Sequence, residues 1–130
     1  MPTYEWAVLR VVPRVDRGEY VNVGVIVYCQ ARGYLRAALS TDLARALALD
    51  PGLDVDAVRT HLEVVRAVCA GDPATGTSGR RPAGDRFRWL VAPRSTVVQP
   101  SPVHTGLTDD PQAELDDLMT RMVGARPADA

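Results

Sequence analysis

The sequence predicts an α+β domain, an antiparallel β-meander of three to four strands covered on one face by two main helices. Three observations lead there. Runs of strand-favouring residues at 4–12, 18–29 and 34–39 follow one another across short polar turns. Behind Asp54 and again behind Asp110, apolar residues recur at three- and four-residue steps, the helical period. The length of 130 residues, with 46% hydrophobic, fits one domain with a small core. The reading is a single domain over 1–124, with a mobile surface loop at 72–85 and a disordered tail at 125–130.

In the first strand Tyr4, Trp6, Val8, Arg10 and Val12 share one side, while Glu5, Ala7, Leu9 and Val11 share the other. Pro13 ends it, and 14–18 is a hairpin connection. Counted by twos, the central run places Val21, Val23, Val25, Val27 and Cys29 on one apolar face, with Tyr20, Asn22, Gly24, Ile26 and Tyr28 opposite. An amide and a glycine inside a strand each need a reason. Two accounts stand: Gly24 marks a bulge or a close backbone approach while Asn22 bonds a neighbouring loop, or this face is the floor of a site. A turn at 30–33 leads into the third strand.

Helices follow. Ser40, Thr41 or Asp42 caps a short one whose Leu43 and Leu47 share a face, and Asp50-Pro51-Gly52 stops it. Asp54 caps a longer one carrying Val55, Val58, Leu62, Val65 and Cys69 as an apolar stripe with His61 on its flank, closed by Gly71. Residues 72–85 turn to Gly, Pro, Ser, Thr and Arg and read as loop. Gly71, Gly76, Thr77 and Ser78 imitate a phosphate-binding loop, but Thr77 stands where that motif needs lysine and no strand precedes it. Residues 87–91 read as a short helix with Phe87, Leu90 and Val91 inward, although a strand fits the same length. From 94 to 107 the chain is irregular and rich in hydroxyls, with room for an edge strand only over 96–99. In the last helix Asp110 caps, Pro111 opens, Leu115, Leu118, Met119 and Met122 line one face, and Gly124 closes.

The formal net charge of -1 gives no electrostatic footprint for a nucleic-acid backbone or an anionic membrane. All 15 basic residues are arginine, a bias expected of a GC-rich genome, and each is a planar fork suited to carboxylate or phosphate. Cys29 and Cys69 lack metal or redox spacing and read as buried reduced thiols of a cytoplasmic protein. No apolar run reaches the roughly 20 residues of a membrane span. With two histidines and two cysteines far apart, no metal site or cofactor is expected.

Taken together, Tyr4, Arg10, Pro13, Gly18-Glu19, Asn22-Val23-Gly24, Arg94-Ser95-Thr96 and His104-Thr105-Gly106 resemble the bacterial family called domain of unknown function 3037. The resemblance covers nearly the whole chain, and Arg-x-x-Pro combined with Gly-Glu-x-x-Asn-x-Gly is its most specific part. It implies no defined chemistry. It does imply a protein partner, a HipA-like kinase encoded nearby. Carried over by position, Arg10, Glu19, Asn22, Arg94 and Ser95 form the polar signature, with Glu19 as counter-ion to one arginine and Asn22 turned toward the Arg94 region. The alternative is an ionic network that only locks the hairpin to that loop.

Nucleophilic catalysis needs a hydroxyl, a histidine and a carboxylate together. Ser95 or Ser101 with His104 and Asp109 supplies the types, without a nucleophile turn or a glycine-built oxyanion hole. Asp109 and Asp110 at a helix start are better read as capping than as a catalytic pair. A candidate anion site collects Arg10, Glu19, Asn22, Arg94, Ser95, Thr96 and His104. Three functions follow: a non-enzymatic interaction module binding the kinase or a second copy of this chain; a small hydrolase or phosphoryl-transfer accessory using the 94–105 loop; or a domain binding an anionic small ligand or nucleotide.

Overall fold

The computed structural model describes residues 1–124; the tail expected to be disordered lies outside them. The fold is α+β and its sheet is antiparallel throughout. Strands β1 (Thr3–Val11), β2 (Val21–Cys29) and β3 (Tyr34–Leu39) form the expected meander. Helices α1 (Ala44–Leu49), α2 (Val55–Ala70), α3 (Thr77–Arg80) and α4 (Ala83–Leu90) follow. The chain then returns to the far edge of β1 as β4 (Val98–Pro100) and β5 (His104–Leu107), and ends in α5 (Pro111–Leu118) and a wide π turn (Met119–Val123). The sheet order is β3-β2-β1, with β4 and β5 pairing successive halves of the outer edge of β1.

Helices cover both faces of this sheet, where the sequence reading had one. Leu9, Val11, Val23 and Ile26 join Val58, Leu62, Val65, Phe87 and Leu90 in one core beneath α1, α2 and α4. Tyr4, Val25, Val27 and Cys29 join Leu115, Leu118 and Val123 in a second core beneath α5. Both sides of the central strand are apolar enough to need cover, and burying each large aliphatic chain contributes about 1.5–3 kcal/mol.

The register explains how the valines of β2 come to be shared between the two cores. Leu9 pairs with Gly24 but Arg10 pairs with Asn22, so Val23 is an extra residue and β2 is bulged there. Alternation is broken at that point. Val23 turns to the α2 face with Ile26, while Val25, Val27 and Cys29 face α5, so the five-residue apolar stripe counted in the sequence is divided. Gly24 is required by proximity: a Cβ there would lie 2.8 Å from the Ala38 carbonyl oxygen and 2.8 Å from Leu39 Cδ2.

The two expected aspartate caps of the longer helices form: Asp54 accepts from the Ala57 amide and Asp110 from Ala113. The cap expected from Ser40, Thr41 or Asp42 does not, because α1 starts after Leu43 and Asp42 accepts from the Ala44 amide only in the turn before it. Residues 87–91 prove helical in the main, within α4, with Phe87 and Leu90 buried. Two further expectations are corrected. Within 72–85, read as loop, Asp72 accepts from Ala74 and starts a 3-10 turn over Pro73–Thr75, and α3 follows. Residues 104–107, read as irregular, form β5, where the Tyr4 ring occupies the space that a side chain on its partner Gly106 would take. Among the described residues no helix is long and apolar enough to cross a membrane.

Gly24→Ala should therefore lower stability by about 1–3 kcal/mol, the cost of forcing a methyl into a packed site. Urea unfolding checks it, and an unchanged midpoint would show that the bulge has room to spare.

Candidate functional site

The bulge decides where the polar signature goes. Asn22 faces α5, and its Nδ2 donates to the Met122 carbonyl at 2.9 Å. Beside it, Arg45 donates to the Val123 carbonyl at 2.8 Å, so two C-terminal carbonyls that the ending helix leaves unpaired are satisfied from outside. Arg10, paired across the ladder with Asn22 on one side and Gln99 on the other, shares this face. Its guanidinium lies 4.1 Å from the centre of the Tyr20 ring. Arg10 Nε and Asn22 Oδ1, a donor and an acceptor on directly paired residues, are both buried without a hydrogen-bond partner among the described residues.

Arg94 is elsewhere. It lies on the opposite face of the sheet, in a groove with Ala57, His61 and Val64 of α2 and Trp89 of α4. Its guanidinium sits 4.6 Å from the Trp89 ring centre and donates to the Trp89 carbonyl in the last turn of α4. The expected convergence of Asn22 with Arg94 does not occur, because the bulge commits Asn22 to the C-terminal turn while Arg94 caps a helix on the other layer. Glu19 pairs with Arg17 at 2.6 Å, in solvent, and among the described residues Arg10 has no carboxylate within salt-bridge distance. Ser95 is exposed, and the Thr96 hydroxyl donates to the Val98 carbonyl at 2.7 Å. His104 stacks on Trp6 with ring centres 4.5 Å apart.

The catalytic residue types do not meet. Ser101, only 4% exposed, takes the place of a ladder residue: its amide donates to the Val8 carbonyl at 2.7 Å and its Oγ accepts from the Val8 amide at 2.8 Å. That hydroxyl also donates to the Pro102 carbonyl. The Asp109 carboxylate faces Arg32 at 3.7 Å. Among the described residues no group of His, Cys, Asp or Glu has the arrangement of a metal site. Both cysteines are buried free thiols, and burial pushes Cys69 up to about 12, so it is no nucleophile near neutral pH.

What the structure adds is the open groove of about 700 Å³ around Trp89. Trp89 is 42% exposed and Val64 40% exposed, two large apolar side chains adjoining an arginine and a histidine. The sequence held one signal for it: if Phe87 and Leu90 point inward on a helix, Trp89 is left on the outer side. His61 has its pKa lowered, first by burial and then by the Arg94 charge.

A family model described as "Protein of unknown function (DUF3037)" matches residues 6–123. No curated protein and no solved structure matches the chain.

Two outcomes follow from the geometry. Ser101→Ala leaves the Val8 amide without its acceptor and should cost about 1–3 kcal/mol, with faster hydrogen exchange at Val8; wild-type stability and protection would contradict the ladder role. A histidine whose folded pKa lies below its unfolded value stabilises the fold above the unfolded pKa, and loses that contribution as pH falls toward the folded one. The unfolding midpoint should then drop between about pH 7.5 and about pH 5.5, and drop less in His61→Gln. An equal drop in both proteins would remove His61 as the cause.

Proposed function

The chain belongs to the DUF3037 family, a family of unknown function, and from the chemistry of its surface we propose that it is a non-enzymatic protein-interaction module whose contact face is centred on Trp89. One observation carries the reading: Trp89 and Val64 stand exposed beside Arg94 on a groove built from two packed helices. Contact energy in protein interfaces concentrates in tryptophan, tyrosine and arginine, and an exposed apolar patch of this kind is costly unless a partner covers it. The Arg94 stack and its bond to the Trp89 carbonyl hold the ring in place, so little order has to be gained on binding.

Support comes also from how the polar residues are used. Thr96 and Ser101 commit their hydroxyls to backbone groups, His104 to a stack and Asn22 to the C-terminal turn. These uses favour a scaffold over turnover at the 94–105 loop. The partner to test first is the HipA-like kinase that the family resemblance implies.

Coexpression of the two proteins should give a complex that survives size-exclusion chromatography. Trp89→Ala should weaken it by about 2 kcal/mol or more while leaving the unfolding midpoint nearly unchanged. Equal binding by the variant, or none by the wild type, would overturn the proposal.

A further inference from the structure

The Trp89 groove does not end at His61. Ala57 and His61 also line an adjoining hollow of about 230 Å³, backed by Leu53, Val58 and Val98. The two depressions together follow one flank of α2 from Val64 back to Asp54, ten positions, or about 15 Å at the helical rise.

The two depressions carry opposite charge. In one, Arg94 has no carboxylate within salt-bridge distance among the described residues. In the other, Asp50 and Asp54 accept only from nearby backbone amides, of Gly52 and Ala57, and neither has a cationic partner among the described residues. Ala57 and His61 line both depressions, and Val64 and Trp89 wall the one that holds Arg94.

We propose that this track docks a short segment of a partner protein in one fixed direction, with a carboxylate set at Arg94, large apolar side chains over Trp89 and in the adjoining hollow, and a basic residue set at Asp50 and Asp54. The proposal rests on the interaction reading and names the partner's chemistry. A charge-ordered track selects orientation as well as composition, because the reversed segment would place like charges at both ends. A second copy of this chain presenting Val15 is a poorer occupant. Its own exposed Val15 is flanked by Arg14 and Asp16, which are paired with each other at 3.2 Å, and so offers no free charges to the track.

The test uses a displayed library of random peptides about twelve residues long, enough to span the track as helix or strand. The best binder is then made and titrated calorimetrically. Recovered peptides should carry an acid and a base on opposite sides of at least one large apolar residue, always in the same order. Arg94→Glu should weaken the binder by about tenfold or more, and replacing the peptide's acid by lysine should restore it. Asp54→Asn, which keeps the helix cap, should weaken it by several-fold. Binding lost in Trp89→Ala but unmoved by Arg94→Glu and Asp54→Asn would overturn the charge-ordered track and leave the interaction reading standing. An empty selection would count against both. A concentration-dependent dimer abolished by Trp89→Ala would make the occupant a second copy and overturn the proposal as well.

Discussion

The bulge at Val23 is the constraint on which the rest of this molecule depends. One extra residue in β2 sends Val23 to the α2 face while Val25, Val27 and Cys29 stay on the α5 face, so valines that period-two counting puts on one side serve different cores. The same half-step turns Asn22 onto the Met122 carbonyl. Gly24 permits it, because the β3 backbone and Leu39 fill the space where any side chain would go. Without the bulge a residue pair would lie on the wrong layer, and the C-terminal turn would lose its amide donor.

Arginine is the second organising choice, and three of the 15 arginines serve helix ends. Arg86 donates to the Val68 and Cys69 carbonyls at the end of α2, Arg94 to Trp89 at the end of α4, and Arg45 to Val123 at the end of the C-terminal turn. Helix termini leave carbonyls unpaired and carry partial negative charge, so a guanidinium there satisfies both the bond and the field. A fork reaches two acceptors at once, as Arg86 does. Arg94, which the sequence reading placed in an anion site, commits one of its donors to the chain's own backbone. Arg10 is different: its guanidinium rests on Tyr20, and its Nε, beside Asn22 Oδ1, has no partner among the described residues.

Much of the fold was legible. The meander, the Asp54 and Asp110 caps, and the inward Phe87 and Leu90 follow from local chemistry, which acts within a few residues and leaves a mark there. The site was less so. Period-two counting runs straight through a bulge, and only the unexplained Gly24 hinted that the phase would change. β5 was hidden because its pairing partner is about a hundred residues away and its four residues have little propensity of their own. Arg10 and Asn22 do meet, as register would allow, whereas Arg94 belongs to the other layer, a fact set by how α4 packs and not by anything adjacent in the chain.

The two layers also differ in how they use their polar residues. Behind the α5 face they tie the chain's end to the sheet; on the α2 face Arg94 and His61 line an open groove beside the exposed Trp89. That division stands on the direction of Val23 and Asn22, and isotope-edited nuclear Overhauser spectroscopy reads it most directly. The account predicts cross-peaks from the Val23 methyls to the side chains of the α2-face core, and from the Asn22 side-chain amide to the protons of Met122 and Val123. Val23 cross-peaks to Leu118 and Met122, with Asn22 contacts to α2, would contradict it.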